Sequence, residues 1–288
     1  MLRVIGFVLG GLVLVAVLAL GGVYLNAQRL LGQRPTNPVS ALSVSGTPEQ
    51  VERGRYLVTA IPGCVSCHAS NPTSVPPVLD GALMHDAAPF GEFYAPNLTP
   101  GGRLRDYTDG ELERAIREGI GRDGRALAIM PSQNFRKMPD EDVAAIIAYL
   151  RTQPSLEHET PPLRPNVLGY VLIGTGLAAP SVQPPVSDVT APDRAPTPAY
   201  GEYLTHIGDC RACHGGLLDG QNRATGAPAG PNLRVVKGWT EDQFIMTLRA
   251  GIDPTGHALD PKVMPWPQFG RATDDDLRAL YAYLTSLP

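Results

Sequence analysis

The apolar residues of this chain fall into three patterns. From Val4 to Leu25 there are 22 residues without a charge. As a helix this stretch would reach about 33 Å at 1.5 Å per residue, enough for the hydrocarbon core of a bilayer. A cleaved secretory signal has a shorter apolar core, of about 7–15 residues. Leu25-Asn26-Ala27 is also a poor cleavage site, so 1–28 reads as a retained transmembrane signal anchor. The second pattern is helical spacing. Val143, Ile146, Ile147 and Leu150 form one apolar stripe; Leu277, Leu280, Tyr281 and Leu284 form another. They predict helices over Asp140–Arg151 and Thr273–Leu287, both opened by acidic residues that suit the positive end of a helix dipole. Shorter helices are predicted over Glu52–Ala60, Asp109–Glu118, Gly201–Ile207 and Glu241–Ala250. Thr108 and Thr240 stand at the capping positions of two of these. The third pattern is a lone apolar run, Val167–Ala179, of 13 residues. It is too short to cross a bilayer and is expected to pack on a neighbouring domain or to touch a membrane surface.

These elements occur twice. Gly54-Arg55-Tyr56-Leu57 recurs as Gly201-Glu202-Tyr203-Leu204, and Pro96-Asn97-Leu98 as Pro231-Asn232-Leu233. Thr108, Gly119, Gly124 and Leu127 recur at a constant offset of 132, as Thr240, Gly251, Gly256 and Leu259. Met130-Pro131 recurs as Met264-Pro265, and Phe135, Asp140, Asp142, Tyr149 and Leu150 follow without a gap as Phe269, Asp274, Asp276, Tyr283 and Leu284. Composition bias does not keep residues in order, so the chain is a duplicated, mostly α-helical module. The copies are placed at 45–152 and 199–288. Between them, 153–198 holds ten prolines in 46 residues, which favours an extended, semi-rigid linker.

Charge excludes little except nucleic acid. The chain has 24 basic and 28 acidic side chains, and a nucleic-acid binder needs a basic face.

The chemistry lies in the cysteines. All four belong to two Cys-x-x-Cys-His motifs, Cys64–His68 and Cys210–His214. This is the attachment pattern of c-type haem. The two sulfurs form thioethers to the haem vinyl groups, and the adjacent histidine binds the iron. Disulfides, zinc sites and thioredoxin-like centres also use cysteine pairs, but they do not require the histidine. Two covalently attached haem c groups are therefore expected, with His68 and His214 as iron ligands. A methionine at the sixth position gives a raised-potential electron carrier. Met130 and Met138 each precede a proline, and the repeat separates them. Met130 and Met264 stand ten residues before Asp140 and Asp274, whereas Met138 aligns with Ala272. Met130 and Met264 are thus the expected distal ligands, and Met246 is expected in the core. His85, His158, His206 and His257 have no counterpart in the other copy and read as surface or hydrogen-bonding residues; His206, four residues before Cys210, is the one to examine first.

The modules resemble class I cytochromes c. In that family a Gly-Pro-Asn-Leu segment supplies a proline carbonyl to the proximal histidine. Gly230-Pro231-Asn232-Leu233 and Ala95-Pro96-Asn97-Leu98 match it, so the resemblance implies Pro96 and Pro231 as acceptors from His68 and His214. It also implies that Gly54 meets Tyr149, and Gly201 meets Tyr283, where first and last helices cross. The first copy departs from the compact form: 27 residues separate His68 from Pro96, against 16 between His214 and Pro231. The inserted 69–95 is expected to cover a haem or dock a partner. The order of anchor, module, linker and module is similar to the multi-haem cytochrome subunits of periplasmic membrane dehydrogenases.

The reading that follows is electron transfer by a membrane-anchored dihaem cytochrome c. Electrons would pass from a periplasmic dehydrogenase or quinol-oxidising complex to a soluble cytochrome or terminal oxidase. The implied partners are the membrane and redox proteins of a multi-subunit complex. Haem maturation on the outer face of the bacterial inner membrane places both modules in the periplasm. The rival readings are a dihaem redox enzyme (a peroxidase or a thiosulfate-oxidising cytochrome) and an integral cytochrome subunit of an oxidase.

Overall fold

The computed structural model describes residues 2–221 and 229–288, apart from the side chains of Leu2, His85 and Asp86. Residues 222–228 of the predicted second module lie outside the described residues.

Helix α1, Leu2–Leu31, holds no acidic residue and leaves its apolar side chains exposed from Val4 to Leu25 except for the half-buried Val23. It is long and apolar enough to cross a membrane. It runs past the predicted 1–28 to Leu31 and continues straight into polar residues. The chain then lies along the first module rather than swinging free of it. Ala126 N donates to Gln33 O at 3.1 Å, Arg34 Nη1 to Asp123 O at 2.6 Å, and Asn37 Nδ2 to Glu118 Oε2 at 2.8 Å. Ser40 Oγ donates to Glu113.

The first module comprises α2 (Pro48–Thr59), α3 (Cys64–His68), α4 (Asp109–Glu118), α5 (Ser132–Phe135) and α6 (Asp140–Arg151). Helix α2 starts four residues before the predicted Glu52. Thr47 Oγ1 accepts from Gln50 N, and Pro48 fits the first turn, where its missing N–H costs nothing. Helix α4 carries a full capping box, with Thr108 and Glu111 each bonding the other's backbone N–H. After the linker, α8 (Pro198–Ile207), α9 (Cys210–His214), α10 (Glu241–Ala250), α11 (Trp266–Phe269) and α12 (Asp274–Ser286) repeat the order. Thr197 and Pro198 begin α8 as Thr47 and Pro48 begin α2. Thr240 and Gln243 form the matching box on α10.

Each module is built on the crossing of its first and last helices, α2 on α6 and α8 on α12. A Cβ at Gly54 would overlap the Ala145 carbonyl and crowd Tyr149; one at Gly201 would overlap the Ala279 carbonyl and crowd Tyr283. The glycines let the backbones touch. Around these crossings one buried apolar cluster runs through both modules, including Leu57, Ile61, Ile146, Ile147, Leu204, Ile207, Leu277 and Leu280.

The linker is more structured than an extended connector. Strand β2 (Gly91–Glu92), within the 69–95 insertion, pairs antiparallel with β4 (Arg164–Pro165) in the linker, while β1 (Ala82–Leu83) pairs with β3 (Tyr94–Ala95) inside the insertion. Helix α7 (Val167–Gly174) follows, capped by Asn166 Oδ1 accepting from Gly169 N at 3.0 Å. It packs on α1 and on the 3-10 turn His85–Phe90 of the insertion. Further along, Gln183 N donates to Glu118 O at 2.9 Å, and Arg194 Nη2 to Asp142 Oδ1 at 2.9 Å. The prolines prevent a long helix, but side-chain and backbone bonds tie the linker to the first module.

Candidate haem sites

The two Cys-x-x-Cys-His segments form the one-turn helices α3 and α9. Each is entered through a left-handed residue, Gly63 at φ 68° and Asp209 at φ 54°. Glycine adopts that conformation freely and aspartate tolerates it. His68 and His214 close the turns and are buried. Their Nδ1 atoms lie 3.0 Å from Pro96 O and 2.8 Å from Pro231 O. An Nδ1–H donated to a carbonyl fixes the tautomer and leaves Nε2 with its lone pair, the arrangement an iron ligand needs. Burial lowers both histidine pKa values, against the raising effect of the proline carbonyls, so the rings are neutral. A Cβ at Gly230 would stand 2.6 Å from His214 Nδ1, so the second site needs glycine there; Ala95 takes the matching place in the first, within β3.

No two of the cysteines among the described residues are joined as a disulfide. Burial pushes the Cys64 and Cys210 thiols up to about 12. That opposes a thiolate nucleophile or zinc ligand, which need the sulfur charged. A thioether sulfur is neutral, so these two partly buried positions fit haem attachment. Among the described residues, no cluster of three or more His, Cys, Asp or Glu side chains is arranged to hold a bare metal ion.

Met130 and Met264 are partly buried at the edge of the apolar cluster. Each begins a matched turn, with Ser132 N donating to Met130 O at 2.8 Å and Trp266 N to Met264 O at 2.7 Å. Met138 is fully buried, and its carbonyl accepts from Arg117 Nη2 at 2.6 Å. Met246 is a correction. It lies on α10 as expected but is 58% exposed rather than core, because α10 presents Phe244 and Leu248 inward instead. His206 faces the other module, with Lys137 Nζ 3.2 Å from its Nε2. Burial first, then Arg211 and Lys137, lower its pKa to about 4. His158 and His257 are exposed, and the His85 side chain lies outside the described residues.

The structure adds a seam that the individual motifs do not reveal. Tyr56 OH, on α2, donates to Asp276 on α12, while Tyr203 OH, on α8, donates to Asp142 on α6 at 3.1 Å. The same repeat position of each module thus bonds the matching position of the other. The residues four after each candidate methionine do likewise. Asn134 Nδ2 donates to Asp209 Oδ1 at 2.6 Å, beside Cys210. Gln268 accepts from Ser66 Oγ, inside the first haem motif, and its Nε2 donates to Ile61 O at 3.2 Å. Each methionine loop therefore touches the haem motif of the other module. The contacts form a reciprocal pair, as in a two-fold interface. Asp142 is the better satisfied end: Arg53 grips it through Nε and Nη2, both at 2.9 Å, and Arg194 adds a third bond. In the second module Tyr200 stands where Arg53 would be. A signal is present in the matched pairs Tyr56/Tyr203 and Asp142/Asp276, since polar residues kept by both copies at helical core positions need partners.

Comparison with known proteins agrees with this geometry. Residues 51–154 match the family model described as cytochrome c. Residues 196–284 match that of cytochrome c oxidase, cbb3-type, subunit III. The chain is 30% identical to a nicotinate dehydrogenase subunit of Pseudomonas putida, over 84% of this chain and 22% of that protein. It is 31% identical to the cytochrome c subunit of the quinone alcohol dehydrogenase of Gluconacetobacter polyoxogenes, over 83% of this chain and 56% of the relative. With the fructose dehydrogenase cytochrome subunit of Gluconobacter japonicus it shares 27% identity, over 94% of this chain and 58% of the relative. The chain thus spans less than two thirds of the length of each of these curated relatives.

Proposed function

We propose, from the premise that the chain carries two cytochrome c domains, that it is a membrane-anchored carrier of single electrons with one haem c in each domain. The domains are assigned to 45–152 and 199–288, joined by 153–198. The first haem would be held by Cys64, Cys67, His68 and Met130, with Pro96 orienting the histidine. The second would be held by Cys210, Cys213, His214 and Met264, with Pro231 in that role. When bound, each haem supplies an iron that cycles between Fe(III) and Fe(II).

The observation that carries this reading is the duplicated proximal arrangement, in which two buried histidines each set Nδ1 within hydrogen-bond distance of a proline carbonyl. The partly buried thiols of Cys64 and Cys210, held neutral by their surroundings, fit thioether attachment. The paired methionines, each at the edge of the core, favour closed sixth positions and hence electron transfer over substrate binding at iron. The seam would let an electron entering one module leave by the other. Helix α1 is the candidate span. It would place the amino terminus in the cytoplasm and both modules on the periplasmic side of a bacterial inner membrane. The relatives named as dehydrogenase cytochrome subunits support a periplasmic dehydrogenase as donor and a soluble cytochrome or terminal oxidase as acceptor.

Two measurements test this. A haemochrome assay on the purified chain should return two haems per polypeptide, and the optical spectrum should show the sulfur-to-iron band without a high-spin component. Mild detergent extraction should co-purify a dehydrogenase. Co-purification with oxidase subunits alone would reassign the donor, and a high-spin haem would move the reading to an enzyme.

A further inference from the structure

Helix α7 is an unusual element for a linker. From Asn166 to Ser187 the sequence carries no charged side chain, and α7 itself reads Val-Leu-Gly-Tyr-Val-Leu-Ile-Gly. It is fastened to the last turns of α1. Tyr170 meets Tyr24 edge-on, with ring centroids 5.0 Å apart. Asn26 Nδ2 donates to Gly174 O at 2.7 Å. A Cβ at Gly174 would overlap the Val23 carbonyl, so glycine permits the close approach. Ile173 is almost fully buried, as is Ala27 on α1.

From the other side, the 69–95 insertion holds the same helix. Gly91 and Glu92 pair with Pro165 and Arg164. Asn166 Nδ2 donates to Pro89 O at 3.0 Å, and Gly169 packs on the Phe90 carbonyl. The outer face is left apolar and open: Val167 is 80% and Leu168 48% exposed.

The level at which α7 attaches decides what this face meets. The exposed apolar surface of α1 ends at Leu25, and Asn26, Gln28 and Arg29 follow. Tyrosines gather at the headgroup level of a membrane, where one end of the ring is apolar and the other wet. Tyr24 and Tyr170 sit together at this boundary. The open residues of α7 thus belong to an element fastened at the level where the exposed apolar surface of α1 ends. We propose that α7 is a second membrane contact, lying in the interfacial layer beside α1 with Val167 and Leu168 among the lipids. The 69–95 insertion is then a bracket that connects the first haem module to this contact. The proposal rests on α1 being a membrane span. Its attraction is apolar rather than ionic, since α7 has no charge to offer a headgroup.

The test uses the full-length, haem-loaded chain in discs of phosphatidylcholine alone, with no other protein. A single spin label is introduced by Leu168→Cys, and separately by Leu14→Cys in mid-α1 and Thr255→Cys on the exposed second module. The haem thioethers leave the introduced cysteine as the reactive thiol. Collision rates with oxygen and with a water-soluble nickel chelate are measured with the haems oxidised, each as the difference from the same sample without the reagent. The expected result is an oxygen-to-nickel ratio at 168 several-fold above that at 255 and below that at 14, unchanged by high salt. A ratio at 168 equal to that at 255, with 14 buried, overturns the proposal and leaves the anchor intact. A nickel-accessible label at 14 overturns the anchor and the proposal together. If Leu168→Cys loses haem, Val167→Cys serves as the reporter, with the optical spectrum as the check of folding.

Discussion

At the scale of the residue, the two candidate haem sites are not equivalent, and Asp209 marks the difference. It takes the left-handed position that Gly63 holds in the first module, and burial raises its carboxyl to about 6, against the lowering effect of Asn134. A raised carboxyl binds more protons folded than unfolded. Its favourable contribution is therefore full below the ordinary aspartate value of about 3.9 and is lost as pH rises through about 6. Asp209→Asn should flatten this part of the stability profile: denaturant midpoints of variant and parent, measured from pH 4 to 7, should diverge as pH rises, with the variant ahead. The proposed methionine ligands give a second prediction. Met264→His should lower the potential of one haem by a fraction of the ~0.8 V that axial ligands span, and leave the other nearly unchanged in a redox titration. If neither potential moves, Met264 is not a ligand. These candidate residues can be proposed from the sequence because the chemistry expected of them is local. Cys-x-x-Cys-His works as five consecutive residues, and the order of the repeat separates Met130 from Met138. Met246 is illegible for the opposite reason: which face of α10 turns inward depends on α11 and α12, and the residue itself carries no sign of it.

At the scale of the element, helices with caps can be read and helices held by tertiary contacts cannot. Thr108 and Thr240 announce α4 and α10. Val167–Ala179 is visible as an apolar run, but its length and lack of periodicity do not say what it packs against, and α1 and the insertion supply the answer. The crossings of α2 on α6 and α8 on α12 admit a direct check. Gly54→Ala forces a methyl group into the Ala145 carbonyl, and overpacking of this kind costs about 1–3 kcal/mol or more. Gly238→Ala, where a Cβ would meet nothing within 4 Å, should change stability by less than about 0.5 kcal/mol. Denaturant titration of both variants compares them on one scale.

At the scale of the whole molecule, the seam and the continuous apolar cluster join the two modules, so they are expected to unfold together. Each tyrosine hydroxyl donated across the seam is a hydrogen bond to a buried carboxylate, worth on the order of 1.5–3 kcal/mol. Tyr203→Phe should cost less than Tyr56→Phe, because Asp142 keeps Arg53 and Arg194, whereas no arginine among the described residues bonds Asp276. Chemical unfolding followed at each haem band should show coincident transitions in the parent and earlier, separated ones in the double variant. The bonded segment between α1 and α2 has its own consequence. Gln33, Arg34, Asn37 and Ser40 are each tied to the first module, so little slack remains between α1 and that module. With α1 in a bilayer, as proposed, the molecule would work as a height gauge: it would patrol the membrane plane in two dimensions at a constant stand-off, and a redox partner would have to present its own docking face at that altitude.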